Sequence, residues 1–273
     1  MDDATLDAFA TWERESWEAR AQAYAADIGI LTTGAVEPLL NAAGVTAGAR
    51  VLDVATGPGF VAEAALARGA SVEAVDQSAA MVAIATSRVP GLLVHQAPAE
   101  RLGLPDASYD AVVAGFLLNH LARPEVGVAE LARVLAPGGR LALSVWAEPA
   151  ANRAMGLLGE VVTGLGVTGV VPAGPDSVLF ADAARFEALL VGAGLSDVRI
   201  ARSSWPVVVE PGAWFDTVAR AMPRSGAVLA SATPEQRSQA RAAYVERCLV
   251  DAGTGDGRAT LTATAVIGSG RRT

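Results

Sequence analysis

The sequence predicts an α/β protein, with a mostly parallel, doubly wound sheet of seven strands, the last one antiparallel, and a helical cap. Three observations carry that expectation. Short β-branched apolar runs alternate with alanine-rich stretches of helical period between residues 50 and 146. The run Val51-Leu52-Asp53-Val54 leads into a glycine turn, Thr56-Gly57-Pro58-Gly59, and then into Phe60–Ala67, which favours helix. A second apolar run, Val72–Val75, ends in Asp76. Strand, glycine loop, helix, strand and acid make a βαβ nucleotide-binding unit of Rossmann-like design.

In chain order, Thr5–Asp27 reads as an N-terminal helix, and Val36–Ala43 as a second one stopped by Gly44. Strands are expected at Arg50–Val54, Ser71–Val75, Leu92–Gln96, Tyr109–Ala114 and Arg140–Trp146. Helices are expected at Phe60–Arg68, Ala79–Arg88 and Glu125–Val134, with Pro137-Gly138-Gly139 turning the chain into the fifth strand. Beyond Trp146 the pattern becomes more helical. Asn152–Gly164, Asp182–Gly192, Ala213–Ala221 and Pro234–Val250 read as helices, and Thr168–Ser177 as a Gly/Pro-rich loop. Val198–Glu210 reads as a strand interrupted at Pro206, and Arg258–Gly268 as the final strand. Arg271-Arg272-Thr273 is expected to fray. The expected division is residues 1–45 as a helical lid, 46–150 as the nucleotide-binding core, and 151–273 as the rest of the sheet with an inserted cap.

Composition narrows the chemistry. The chain has 273 residues, 52% of them hydrophobic, enough for one large domain or a domain with a cap. No apolar run approaches the ~20 residues that span a membrane. Met1-Asp2-Asp3 lacks the pattern of a secretory leader, so a cytoplasmic protein is the expectation. The net charge of −8 argues against a nucleic-acid partner. There is no lysine, which excludes a P-loop and any Schiff-base chemistry. One cysteine and two histidines make a zinc-type metal site improbable, and none is expected.

Two cofactor classes use such a βαβ unit. Gly57-x-Gly59-x-x-Ala62 fits the dinucleotide fingerprint, with Asp76 further on to hold a ribose. Asp53 weighs against it. A carboxylate at the strand end would repel a pyrophosphate, whereas it suits a ligand carrying a sulfonium and an ammonium. The glycines allow close backbone approach, and the following helix is expected to offer free N–H groups.

The stretch Asp53-x-Ala55-x-Gly57-x-Gly59 resembles the first motif of the class I S-adenosylmethionine (SAM)-dependent methyltransferases, with alanine in place of the first glycine. Leu104–Val112 resembles that family's loop and fourth strand, and Ala132–Arg140 its helix and turn before the fifth strand. The nearest likeness is to the ubiquinone/menaquinone-biosynthesis branch, which methylates small molecules. Ala23-Tyr24-Ala25 resembles that branch's segment that closes over the cofactor. The resemblance implies SAM as cofactor and S-adenosylhomocysteine as product. It implies cofactor contacts from Tyr24, Asp53, Ala55, Thr56, Gly57, Gly59, Asp76, Gln77 and Met81, and further along from Ala99, Glu100, Phe116 and His120. Pro98 stands where the family often has an aspartate for the adenine amine, so Ala99 backbone and apolar packing are expected to read adenine.

His120 is the candidate general base, and His95 is expected to be a structural histidine of the third strand. Trp12, Trp17, Asn119 and Trp146 are candidates for a substrate pocket, with Trp205 and Trp214 as further aromatics. Glu13, Arg14, Glu15 and Glu18 read as a solvated helix face. The expected activity is methyl transfer to a largely hydrophobic small molecule in cofactor or specialised-metabolite biosynthesis, by a monomer or homodimer. The alternatives are a SAM-binding cyclase or pericyclase that does not consume SAM, a dinucleotide-dependent oxidoreductase, and a SAM-sensing subunit.

Overall fold

Seven strands form one sheet in the order β3-β2-β1-β4-β5-β7-β6 in a computed structural model that describes residues 1–166, 170–252 and 257–273. Thr168 and Gly169 of the expected loop therefore lie outside the described residues. The strands are β1 Arg50–Val54, β2 Ser71–Asp76, β3 Leu93–Gln96, β4 Tyr109–Gly115, β5 Leu135–Trp146, β6 Leu195–Val209 and β7 Ala259–Arg272. The pairs among β1 to β5 are parallel, and β7 runs antiparallel between β5 and β6.

The helices follow in chain order as α1 Asp3–Ala23, α2 Gly29–Thr32, α3 Val36–Ala42, α4 Phe60–Ala67, α5 Ala79–Arg88, α6 Pro124–Val134, α7 Arg153–Gly164, α8 Ala183–Gly192, α9 Pro211–Ala221, α10 Pro223–Ser231 and α11 Pro234–Ala252. Asp2 caps α1 by accepting from the Thr5 N–H at 2.9 Å. After Ala23 the expected single helix widens into a π turn at Tyr24–Ile28, a distortion common at functional sites. Helix α10 was not expected. Its sequence, Pro223–Ser231, has no strong apolar stripe, and Pro223 opens it at a first-turn position that needs no N–H.

The central strands are buried on both faces, as a parallel sheet requires, whereas the edge strands β3 and β6 are partly exposed. Side chains alternate between them. Leu52, Val54, Val112, Leu141 and Leu143 face Leu131 of α6 and Phe186 of α8. Val51, Val113 and Ala142 face Leu39 and Leu40 of α3 and Ala62 of α4. A third core joins α7, α9, α10 and α11 to the start of β7, through Leu157, Phe215, Leu229, Tyr244 and Leu261; Ile28 and Leu31 from the N-terminal segment complete it. At the start of β5 the ladder jumps from Tyr109–Leu135 to Ala111–Arg140, so Pro137-Gly138-Gly139 bulges out. A Cβ on Gly139 would lie 2.8 Å from the Asp110 carbonyl, so only glycine fits.

Two expectations fail here. Pro206 does not interrupt β6, whose pairing with β7 continues through Pro206–Thr262. Strand β6 is the sheet's edge, where a missing N–H can face solvent. Nor do Arg271 and Arg272 fray: both pair with β6. The Arg272 guanidinium donates to the Arg133 carbonyl at 2.6 Å and to the Leu135 carbonyl, covering the C-terminal end of α6. Arg272→Ala is therefore expected to cost about 1–2 kcal/mol in urea unfolding, where a frayed tail would show no change.

Candidate active site

The carboxyl ends of β1 and β2 each deliver one buried carboxylate. Asp53 is 1% exposed and sits beneath the glycine turn. Its Oδ2 accepts from Thr56 Oγ1 at 2.6 Å and from the Ala62 N–H at 3.0 Å. Ala62 lies in the first turn of α4, so Asp53 caps a helix whose N-cap residue, Gly59, has no side chain to do so. This corrects two expectations. The helix N-terminus is partly satisfied from within, and Asp53 acts below the turn rather than on the cavity wall. Its other oxygen is buried without a partner. Burial lifts the Asp53 carboxyl to about 7, with the bonds from Thr56 and Ala62 opposing the rise.

Asp76 faces the cavity. Its Oδ2 accepts from the Gly57 N–H at 2.9 Å and its Oδ1 from the Ser78 N–H at 2.9 Å. Each oxygen keeps a lone-pair direction for a ligand hydroxyl. Burial lifts Asp76 to about 6, against those two backbone bonds. In the turn, Ala55 (φ +56°), Gly57 (φ +53°) and Gly59 (φ +87°) are all left-handed. Ala55 thus holds a conformation that favours glycine, the residue the family motif has there. A Cβ on Gly57 would meet nothing, leaving an open approach to backbone. A Cβ on Gly59 would lie 3.3 Å from Val89 Cγ2, so Gly59 serves the packing of α4 on α5 and does not reach the cavity.

A cavity of about 720 Å³ opens beside Asp76, a size suited to a cofactor with part of a substrate. Ala55, Gly57, Asp76, Gln77, Met81, Ala99 and Glu100 line one part of it, with Ala97 and Pro98. Tyr24, Phe116 and His120 line it too, joined by Trp17 and Trp146. Thr56 faces a smaller adjoining hollow with Phe60 and Ser144. Phe116 stacks on Trp146 with ring centroids 3.9 Å apart, and is held left-handed at φ +57°. Its N–H donates to the Ser144 carbonyl at 2.9 Å, which fixes that strained turn. Trp17 meets both Tyr24 and His120 edge-on at 5.0 Å. Burial pushes the Tyr24 hydroxyl up to about 12, so it stays protonated.

Of the substrate-pocket candidates, Trp17 and Trp146 line the cavity, and Trp12 and Asn119 do not. Trp205 and Trp214 serve the cap instead, donating to the Leu31 and Ala154 carbonyls. His95 of β3 contacts Glu73 of β2 at 3.0 Å and does not line the cavity.

The solvated face expected on α1 is the largest site feature missed. Glu13 is fully buried. Its Oε2 lies 2.9 Å from His120 Nδ1, and its Oε1 accepts from Arg224 Nη2 at 3.0 Å. Burial opposes its ionisation, yet His120 and Arg224 together hold Glu13 below the usual carboxylate range. Glu18 is exposed but engaged. It accepts from Ser78 Oγ at 2.6 Å and from the Ala80 N–H at 3.2 Å, tying α1 to the start of α5 beside Asp76. Glu15 stays at the surface as expected, whereas the half-exposed Arg14 also lines the cavity.

A family model described as a methyltransferase domain matches residues 52–143. The chain carries a class I SAM-dependent methyltransferase domain. It is 39% identical over 124 residues to the demethylmenaquinone methyltransferase of Clavibacter sepedonicus, covering 44% of this chain and 47% of that one. It is 31% identical over 172 residues to the ubiquinone/menaquinone biosynthesis C-methyltransferase of Geobacter sulfurreducens, covering 55% and 66%. Both relatives are named for ubiquinone or menaquinone biosynthesis. The chain spans about half the length of the first curated relatives it matches. Among solved structures, the YcgJ protein of Bacillus subtilis superposes with a TM-score of 0.57 at 19% identity, over 87% of this chain and 97% of that one, and shares its fold.

The cofactor of this domain is SAM, and the residues present fit it. Asp76, buried and facing the cavity, suits a cationic ligand, and Asp53 beneath the turn adds negative charge behind it. Asp76 has acceptor capacity for ribose hydroxyls, and the apolar wall around Met81, Pro98 and Ala99 suits a purine face.

The raised Asp53 carboxyl gives a signed pH dependence. Its folded-state value, about 7, lies above the ordinary 3.8, so the fold retains a proton that the unfolded chain loses. Its contribution to stability falls as pH rises from about 4 to about 7 and is level above that. Urea unfolding of the wild type and of Asp53→Asn across that range is expected to show the wild type losing ground steadily against the variant as pH rises. A constant difference would mean that Asp53 titrates normally.

Proposed function

We propose that the protein transfers a methyl group from SAM to a small, largely apolar acceptor. The observation that carries this reading is the aromatic-walled cavity opening beside a cavity-facing Asp76 at the end of β2. When bound, SAM supplies an electrophilic methyl on a sulfonium. Asp76 holds the ribose hydroxyls, Gly57 admits backbone close to the ligand, and Met81 with Ala97–Ala99 flanks the adenine. Trp17, Tyr24, Phe116 and Trp146 exclude water and present aromatic faces to the positive charge. The leaving group is a neutral thioether, so no oxyanion stabiliser is required. Alignment and dehydration supply most of the acceleration, and orientation alone is worth about 7–11 kcal/mol.

His120 is the base for an acceptor that must shed a proton. Residues 1–45 act as the lid over the cofactor, and the helices after residue 151 shape the acceptor's side of the cavity through Met155 and Met222. The curated relatives support an aromatic, quinol-like acceptor methylated at carbon in cofactor biosynthesis. No helix of the described residues is long and apolar enough to cross a membrane.

Calorimetric titration tests this reading. SAM and S-adenosylhomocysteine are expected to bind at micromolar concentration or tighter, and NAD not to bind. Asp76→Ala is expected to weaken SAM binding at least tenfold, about 1.4 kcal/mol. Tighter binding of NAD than of SAM would overturn the reading in favour of an oxidoreductase.

A further inference from the structure

We propose that Glu13, on the N-terminal helix, is a positioning residue. It fixes His120 as the Nδ1-protonated tautomer and so leaves Nε2 bare as the proton-accepting atom. The inference rests on the methyltransferase reading for its use, though not for its geometry. It deepens that reading by naming the acceptor class: a molecule that gives up a proton during transfer.

A fully buried carboxylate is costly unless it is paired. Glu13 has two partners from distant parts of the chain. Arg224 of α10 binds Oε1 through Nε at 3.2 Å and Nη2 at 3.0 Å, and also donates to the Asn119 carbonyl at 2.7 Å. His120, in the short turn Leu118–His120 after β4, brings Nδ1 to 2.9 Å from Oε2. With Glu13 held ionised, Oε2 can only accept. A bare Nδ1 facing it would set two lone pairs against each other, so Nδ1 carries the proton. The Trp17 Nε1, 3.4 Å from the same Nδ1, is the weaker contact and meets the ring edge-on. On the other side of the ring, the Asn119 amide nitrogen lies 3.0 Å from Nε2, which suits a donor facing a bare nitrogen.

The consequence is a base assembled from three segments. The lid supplies Glu13, the turn after β4 supplies His120 and the cap supplies Arg224. An acceptor hydroxyl takes the place of the Asn119 amide as the donor to Nε2. Its proton passes to the Nε2 lone pair. The electron pair left on the acceptor, at oxygen or delocalised to a ring carbon, forms the bond to the methyl carbon, and the methyl–sulfur pair leaves with the sulfur. The resulting imidazolium is stabilised by the Glu13 carboxylate.

The chain has only two histidines, so nitrogen-15 NMR of histidine-labelled protein reads the ring directly. The free protein is titrated until the rings are neutral, and His95→Gln assigns the two sets of signals. The wild type is expected to show His120 with a protonated Nδ1 and a bare Nε2. Glu13→Leu is expected to lose that preference. Arg224→Met, which loosens the same junction without touching Nδ1, is expected to keep it. A wild-type ring protonated at Nε2 would overturn the proposal, even if Glu13→Leu fails to fold. So would a Glu13→Leu variant that keeps the wild-type tautomer, or an Arg224→Met variant that loses it, since the tautomer would then follow packing and not the carboxylate. Titration of the same sample with S-adenosylhomocysteine separates this result from the cofactor reading. Absence of binding there would count against methyl transfer and leave the tautomer measurement intact.

Discussion

Burying two carboxylates at adjacent strand ends is the constraint around which the rest of the site is arranged. Asp53 and Asp76 sit at the carboxyl edge of a parallel sheet, where backbone N–H groups converge. The turn between β1 and α4 is shaped to use those groups. Left-handed residues at 55, 57 and 59 point the Gly57 N–H at Asp76, and the first turn of α4 points the Ala62 N–H at Asp53. These bonds only partly offset desolvation, and both carboxyls remain well above their ordinary range. A cation in the cavity beside Asp76, with Asp53 behind the turn, relieves what the fold alone does not. A phosphate would add a third negative charge and would compete with Asp53 for the end of α4. The same geometry therefore favours a sulfonium nucleoside over a dinucleotide.

The N-terminal helix is held by the same kind of interaction at two points. Glu18 caps α5 next to Asp76, and Glu13 reaches His120 and Arg224 at the far side of the cavity. Between them Trp17 packs against Tyr24 and His120. The helix thus runs along the cavity with Trp17 turned inward and one anchor on each side. Closing the cavity and ordering the histidine are one packing event, because the same helix supplies both contacts.

Much of this was legible in the sequence, and the parts that were not share a cause. The β1–turn–α4–β2 unit could be read because its signals are local: β-branched runs, glycines that need positive φ, and an acid at each strand end. Asp76 and the aromatic wall at Phe116 and Trp146 follow from strand ends for the same reason. Glu13 could not be read. In a helix carrying Arg14, Glu15 and Glu18 it looks like one more solvated charge, and its partner Arg224 lies 211 residues away. The role of Asp53 was half legible, since its place at the strand end was clear but the Ala62 N–H it meets depends on how α4 packs. Arg272 and Pro206 misled because terminal arginines and strand prolines carry local expectations. Those expectations yield to a long antiparallel pairing at the sheet edge.

Proton release on cofactor binding tests the central claim most directly. Calorimetry of SAM binding near pH 6, in two buffers of different ionisation enthalpy, counts the protons released when the ligand enters. The account predicts net release near pH 6 that fades by pH 8, and a smaller release in Asp53→Asn and in Asp76→Asn. Binding of equal strength with no proton release at pH 6 would contradict it, because Asp76 at the cavity and Asp53 behind it would then be indifferent to the incoming positive charge.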